Sequence, residues 1–346
     1  MACQEAAVGA GPSQLDDFQF IERIGHGSFG TVHKVKRKGE RRHRPSPAAP
    51  PRAAPQPAAP AIVTRSSRSD VIAIAAAHTG LCPVCAADGT IYVIKQVKMI
   101  SMSRKEQEAA INEVRILASL DSPYVIKYYD SFIDGDSLNI VMELAEHGNL
   151  SQWLKKHRAK PVPENVVWRF FIQLVAGMHH IHERNIVHRD LKALNIMLDN
   201  KDNIKIGDLG VAKVLTTHLR AAHTGVGTPY YLSPEVAQRR PYNAKSDVWA
   251  LGCILYECCT RRHPFTGNTQ AQLFQQIIRA TYRPISTQYS AGIHEAVKAC
   301  LTRSVEQRPS PFDIMLMPAF LAKAKEMDIE MPREVLLRLG TAGINP

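Results

Sequence analysis

The stretch that decides the fold is His188-Arg189-Asp190-Leu191-Lys192-Ala193-Leu194-Asn195, with Asp208-Leu209-Gly210 following 13 residues after Asn195. It sets an aspartate, a lysine and an asparagine at spacings of two and three within one short loop. A second aspartate, Asp208, follows the loop. An Asp and an Asn oxygen can share hard Mg²⁺ ions, while the other Asp accepts a proton. The loop is far more specific than any other motif in the chain.

Upstream, Gly25-His26-Gly27-Ser28-Phe29-Gly30-Thr31-Val32 has the pattern GxGxxGxV. A glycine turn between strands is common, so alone the motif decides little. A strand follows it rather than a helix, which disfavours a dinucleotide-binding fold. Glycines in such a hairpin let backbone N–H groups approach phosphate oxygens without a side-chain clash. Tyr92-Val93-Ile94-Lys95 ends a strand on one lysine among apolar residues; a solvent-facing lysine is the plain alternative. Glu113, 18 residues on, lies on a helix over Ser103–Leu120 whose apolar face carries Ile111, Val114, Leu117 and Ala118. A lysine fixed by such a glutamate holds phosphate oxygens as a positioned point charge. Period-two runs predict strands at Phe18–Ile24, Thr31–Lys36, Thr90–Met99 and Leu138–Leu144. Helices are predicted at Val166–Arg184, Lys245–Cys259 and Thr269–Ala280. Strands first and helices later give an α+β chain with a small β-rich lobe and a larger helical one.

The 346 residues are 45% apolar and 22% charged, which excludes wholesale disorder. Seven cysteines do not make a disulfide framework, and no secretory signal is read at Met1–Leu15, so a reducing interior is expected. The longest uncharged run, Val71–Ala87, is interrupted by His78, Gly80 and Pro83 and is too short to span a bilayer. The formal charge is +11, and residues 37–88 alone carry +5, from eight Lys/Arg against three acids. Within that stretch Pro45, Pro47, Pro50, Pro51, Pro55, Pro57 and Pro60 exclude helix interiors and central strands. The segment is read as an insertion into a globular domain.

Gly227-Thr228-Pro229-Tyr230-Tyr231-Leu232-Ser233-Pro234-Glu235, Asp247-Val248-Trp249 and Gln307-Arg308-Pro309 complete the pattern. From about Asp17 to Ala322 the chain resembles a eukaryotic protein kinase. Tyr92-Val93-Ile94-Lys95, Lys205-Ile206-Gly207-Asp208 and His223 to Glu235 resemble the NIMA-related (Nek) serine/threonine kinases in particular. The resemblance implies the bilobal α+β kinase fold. Its N-lobe would be 17–142, with the insertion at about 39–87, and its C-lobe 146–322. A free N-terminus (1–16) and a short tail (323–346) would flank them. It implies ATP and Mg²⁺ as cofactors and transfer of the γ-phosphate to Ser/Thr hydroxyls of protein substrates. Ile24, Gly25, Gly27 and Gly30 would cover the nucleotide. Val32 and Val93 would roof the adenine, with Met197 below it. Met142 would be the gatekeeper, and the backbones of Glu143 and Ala145 would bond the adenine edge. Lys95, paired with Glu113, would hold the α- and β-phosphates. Asp190 would be the catalytic base, Lys192 would steady the transferring group, and Asn195 and Asp208 would bind Mg²⁺. Arg189 would receive an activation-segment phosphate, with Thr224 the best acceptor by position and Thr228 serving the substrate platform. Lys192 resembles the serine/threonine class, and the β-branched Val211 implies a preference for threonine.

Two departures stand out: Asp-Leu-Gly replaces Asp-Phe-Gly, and Ser-Pro-Glu replaces Ala-Pro-Glu. Neither removes a reacting group, and Glu235 is expected to meet Arg308 in a buried ion pair. Two rivals remain open. A pseudokinase scaffold is opposed by the retention of Lys95, Glu113, Asp190, Asn195 and Asp208. A nucleic-acid-binding protein would depend on residues 37–88 and salt. Neither nucleic acid nor membrane is expected as a partner, and no heptad pattern for oligomerisation is seen. Cys82-Pro83-Val84-Cys85 lacks the second pair a structural zinc site needs. Cys253, Cys258 and Cys259 are read as core thiols, and His179, His180 and His182 as unsuited to a metal. Resemblance places the chain in the cytoplasm, with nucleus, centrosome or cilium as further sites. The insertion has one more peculiarity. Lys38-Gly39-Glu40 and Cys85-Ala86-Ala87 can be encoded by a splice donor and acceptor. Removing about Gly39–Ala86 would leave an ordinary kinase hairpin. A retained intron and a genuine loop are equal alternatives, which transcript sequencing separates.

Overall fold

In the computed structural model, alternation of side chains along five strands builds an antiparallel sheet in the order β1-β2-β3-β5-β4. The strands are β1 (Phe18–Gly27), β2 (Gly30–Arg37), β3 (Ile91–Lys98), β4 (Tyr128–Asp134) and β5 (Ser137–Glu143), with helix α1 (Arg104–Ala118) between β3 and β4 in sequence. The structure describes residues 13–27, 30–38, 90–100, 102–208 and 229–341. The insertion at 39–87 with Cys82 and Cys85, the residues Leu209, Gly210 and Val211, and Thr224 and Thr228 lie outside the described residues. The chain divides into two compact units. One comprises Met1–Gln107 with Tyr128–Leu144, the other Glu108–Lys127 with Ala145–Pro346. The sequence pattern assigns all of 17–142 to the first lobe; in the structure residues 108–127 group with the second unit instead.

One face of the sheet closes on Phe18, Val35, Tyr92, Ile94, Phe132 and Val141, all buried. Phe18 stacks on Phe132 at 6.1 Å, and Tyr129 meets Tyr92 edge-on. Leu15, in a short 3-10 turn over Leu15–Asp17, packs against this cluster. Gly135, at φ +57°, makes the tight turn between β4 and β5. Lys95 lies within β3 rather than at its end, and the strand matches the expected Thr90–Met99 to within a residue at each end. The ladder continues through Gln96 and Val97 to Lys98, because Val97 and Leu138 are buried partners that extend the pairing.

Helix α1 opens on a capping box, in which Ser103 Oγ accepts from Glu106 N while Glu106 Oε2 accepts from Ser103 N. The second unit is helical. Its elements are α2 (Leu150–Lys156), α3 (Glu164–Glu183), the hairpin β6 (Ile196–Leu198) and β7 (Ile204–Ile206), α4 (Pro234–Ala237), α5 (Ala244–Thr260), α6 (Gln270–Arg279), α7 (Ala291–Cys300), α8 (Pro311–Met315), α9 (Pro318–Glu326) and α10 (Arg333–Thr341). Two long helices, α3 and α5, are buried along nearly their whole length, as their apolar composition requires. Asn243 caps α5 by accepting from Lys245 N and Ser246 N. Gly177 in α3 lets Tyr124 and Ile206 close in; a Cβ there would come within 2.7 Å of Ile206 Cδ1.

The packed core continues past Ala322. Helix α9 runs through it, and Val335 and Leu339 of α10 are buried in the same core as Trp168 and Trp249. His179 Nε2, 2.6 Å from Glu334 Oε1, ties α10 to α3. Cys253, Cys258, Cys259 and Cys300 are buried free thiols. Among the described residues no helix is long and apolar enough to cross a membrane.

Candidate active site

The loop His188–Asn195 is shaped by one buried carboxylate in another element. Asp247, in the first turn of α5, is fully buried and accepts four hydrogen bonds. Oδ2 receives His182 Nε2 at 2.8 Å and His188 N at 2.9 Å. Oδ1 receives Arg189 N at 3.1 Å and the Tyr242 hydroxyl at 2.6 Å. Two successive backbone N–H groups thus converge on one side chain, and Arg189 adopts φ +67°, a left-handed value that needs such outside support. Burial pushes the Asp247 carboxyl up, but the bond from His182 and the charges nearby outweigh it and hold it below the usual range. His188 is buried too. Its Nε2–H donates to Gly207 O at 3.1 Å, and its Nδ1 accepts from Asp190 N at 3.3 Å. Burial lowers its pKa, which keeps the imidazole neutral and suits that pair of roles.

On this frame the Asp190 carboxylate is held at one oxygen. Lys192 Nζ lies 2.8 Å from Oδ2, and Asn195 Nδ2 lies 3.1 Å from the same atom and 2.8 Å from the Asp190 carbonyl. With its amide nitrogen committed to Asp190, Asn195 presents Oδ1 as its ligating atom. The β6–β7 hairpin carries the second aspartate back to the loop: Gly207 N donates to Asn195 O at 2.9 Å, and Asp208 follows at φ +50° with its side chain exposed. An amide oxygen and a carboxylate at the two outer ends of the β6–β7 hairpin are the hard oxygen donors Mg²⁺ prefers, so the residues fit that ion. Met197 lies half-buried on β6, paired with Lys205 and bridged to Asn149.

The first unit gathers another group of the expected residues. Val32 is directly opposite Lys95, Gly25 opposite Val32, and Val93 opposite Met142. Directly paired residues, and residues two apart on a strand, share a face. Val32, Val93, Lys95 and Met142 therefore line the face opposite to the Phe18–Val141 cluster. Glu143 is the last residue of β5 and is half-buried, Ala145 is the first residue of the next unit segment, and Ile24 is 47% exposed. Glu113 is on α1 as expected, in the part of that helix that groups with the second unit. Gly27 pairs with Gly30. Gly30 has a structural reason the sequence does not suggest: a Cβ there would sit 1.7 Å from Gln96 O on β3, so the strand pairing alone demands glycine.

Downstream, Arg308 and Glu235 form the expected buried pair, bidentate at 2.9 and 3.0 Å. Arg308 lies over the Trp249 ring, and Ser246 Oγ donates to Glu235 Oε1. Burial raises the Glu235 carboxyl, and the bonds from Arg308 and Ser246 overcome this and hold it low. Tyr231 donates to Glu257 at 2.5 Å while its oxygen accepts from Ala193 N at 3.4 Å, tying the loop to α5 a second time. The three histidines of α3 go to separate partners: His179 to Glu334, His180 to Asp121 N and Arg184, and His182 to Asp247. Asp247, Tyr242, His182, Tyr231 and Glu257 receive no role from the sequence. The signal for Asp247 is present, since Asp247-Val248-Trp249 is visible as a motif; the others carry no local signal.

Comparison with known proteins agrees with this arrangement. A model of the protein kinase domain matches residues 79–320, more than half of the chain. Serine/threonine-protein kinase Nek1 of Mus musculus is 38% identical over 239 residues, covering 69% of this chain and 20% of its own length. Nek5 of Homo sapiens is 40% identical over 233 residues, covering 67% and 33%. The probable serine/threonine-protein kinase nek2 of Dictyostelium discoideum is 33% identical over 324 residues, covering 92% and 66%. The chain thus spans only a fifth to a third of the first two relatives. By its loop, its two groups of site residues and this match, the chain belongs to the protein kinase family and is similar, within it, to the Nek serine/threonine kinases.

Proposed function

We propose that the chain transfers the γ-phosphate of ATP to serine and threonine hydroxyls of protein substrates, threonine preferred. The observation that carries this reading is the Asp190 carboxylate, held at Oδ2 by Lys192 and Asn195 in a loop whose backbone Asp247 fixes. Asp190 orients the acceptor hydroxyl and takes its proton. Lys192 is close enough to share its charge between Asp190 and the transferring group. Asn195 Oδ1 and the Asp208 carboxylate would hold Mg²⁺, and Lys95 with Gly25, Gly27 and Gly30 would hold the phosphates. Bound ATP with Mg²⁺ supplies the phosphoryl group and the charge that stabilises its transfer. Thr224 is proposed as the activating phosphorylation site, with Arg189, exposed at its left-handed position, as receiver. By resemblance we also place the protein in the cytoplasm, with nucleus, centrosome or cilium as further sites, in cell-cycle or microtubule-related signalling. Imaging of the tagged protein checks this, and a confined extracytoplasmic location would overturn it.

The test is turnover of ATP–Mg²⁺ on casein-like acceptors by the full chain, against Asp190→Asn and Lys95→Met. Asp190→Asn should bind ATP and lose roughly 10²–10⁴-fold in rate, because an amide cannot accept the proton. Lys95→Met should lose activity through misplaced phosphates. Parent-like rates in either variant would refute the role of the residue replaced. ATP binding without turnover in the parent would favour the scaffold alternative.

A further inference from the structure

At the C-terminal end of α3, His179 and Glu183 stand one turn apart on one face, and Glu334 in the first turn of α10 meets them there. His179 Nε2 lies 2.6 Å from Glu334 Oε1 and 3.5 Å from Glu183 Oε1, and one ligating atom from each residue falls within 4.8 Å of the other two. A hydrogen bond from His179 accounts for one carboxylate, since Nε2 has a single proton to give. It does not account for the second. The Glu183 carboxyl lies within hydrogen-bond reach of Glu334, and among the described residues no lysine or arginine pairs with either. Two carboxylates that close need a shared proton or a cation between them. The donor set selects the cation: one imidazole nitrogen with two carboxylates suits a divalent transition ion such as Zn²⁺, whereas Mg²⁺ favours all-oxygen sites. Tetrahedral Zn²⁺ sets its donor atoms about 3.3 Å apart. The 3.5 Å pair already has that spacing, and a small turn of Glu334 brings the 2.6 Å pair to it. The freedom to move is in the right place. The His179 side chain is 8% exposed and lies beside the Phe312 ring, while those of Glu183 and Glu334 are 45% and 40% exposed and leave an entry path from solvent. The sequence sets His179 aside as a ligand because Glu334 lies 155 residues away. We propose that His179, Glu183 and Glu334 bind a divalent transition-metal ion of the Zn²⁺ type, with water in the fourth position, and that the ion clamps α10 to α3.

With the ion bound, the His179 ring carries its proton on Nδ1 and offers the Nε2 lone pair; without it, Nε2–H donates to Glu334. The test is equilibrium dialysis of the full chain against ZnCl₂ in excess Mg²⁺, with zinc counted per chain in the parent, Glu183→Gln and His179→Ala. At zinc just sufficient to fill the parent site, each variant should hold about one ion fewer. Glu183→Gln removes a ligand and keeps the His179–Glu334 hydrogen bond. It should therefore melt with the parent in metal-free buffer, so that a lost ion is not a lost fold. Hydrogen exchange locates the effect. With zinc at about ten times its Kd, exchange of the α10 amides in the parent should slow by about 10-fold, because opening of α10 releases the ion. In Glu183→Gln the same zinc should leave that exchange unchanged. A parent that takes up no zinc overturns the proposal. So does a zinc count equal in the parent and both variants, which places the ion on other residues, and so does zinc that binds without slowing exchange in α10. None of these readouts depends on phosphoryl transfer, so the kinase reading stands or falls separately.

Discussion

Asp247→Asn exchanges one oxygen for an NH₂ group, and the geometry allows no orientation that satisfies all four donors. If the NH₂ replaces Oδ2, it faces His182 and His188 N. His182 can change tautomer and accept, but the backbone N–H of His188 cannot. If it replaces Oδ1, it faces the Tyr242 hydroxyl and Arg189 N. The hydroxyl can rotate and accept, but the Arg189 N–H cannot. Either way one backbone N–H is orphaned in a buried site, at about 1–3 kcal/mol, and the remaining bonds lose their charge assistance. The expected loss of stability is about 2–4 kcal/mol. Asp247→Ala, which strands all four donors, should cost about 3–5 kcal/mol. Denaturant unfolding followed by tryptophan fluorescence measures this, since Trp249 lies in the same helix. Because the orphaned group belongs to the loop that carries Asp190, kcat should fall at temperatures where the variant is still folded, with a smaller change in the KM for ATP. An Asp247→Asn protein with a parent-like midpoint and parent-like kcat would refute the claim that this carboxylate fixes the catalytic loop.

Stability should also fall as the pH drops below about 6.5, the ordinary histidine value, because burial holds the folded-state pKa of His188 down, with His180 and His263 shifted in the same direction. In that window the unfolded chain binds more protons than the folded one, at up to about 1.4 kcal/mol per pH unit for the fully buried His188 and less for the other two, which solvent screens; unfolding free energies that stay level or rise between pH 7 and pH 5.5 would contradict the neutral assignment. Autophosphorylation at Thr224 should raise activity; a Thr224→Ala protein that matches the phosphorylated parent after phosphatase treatment would exclude that site.

How much of this is legible in the sequence depends on whether the cause is local. The strands, α3 and α5 fall within a few residues of their expected places, because alternation and apolar periodicity are local properties of the chain. The proposed site residues Asp190, Lys192 and Asn195 are legible because a single loop holds them together, and the structure joins them through Oδ2 of Asp190. Two things are not legible. The continuation of the core beyond Ala322 depends on Val335 and Leu339 joining the buried cluster and on Glu334 reaching His179 of α3, across 155 residues of sequence. Gly30 suggests phosphate approach, and only the position of Gln96 O shows that the sheet requires glycine there in any case.

The same distinction explains why the anchoring of the catalytic loop escapes a reading of the sequence. A carboxylate proposed to react must reach solvent; Asp190 is partly exposed, and the side chains of Lys192 and Asn195 that bond it lie within five residues. A carboxylate that shapes backbone must be withdrawn from solvent, where its hydrogen bonds are strong and its position is fixed. Asp247 is fully buried, and its partners come from three separate segments: His182 on α3, His188 and Arg189 in the loop, and Tyr242 ahead of α5. Holding such a charge in the interior is costly unless every lone pair is used. That requirement makes the arrangement all-or-none. The loop is correctly shaped only when α3, the loop and α5 are all in place, so the geometry around Asp190 is a product of the completed helical unit rather than of the loop sequence.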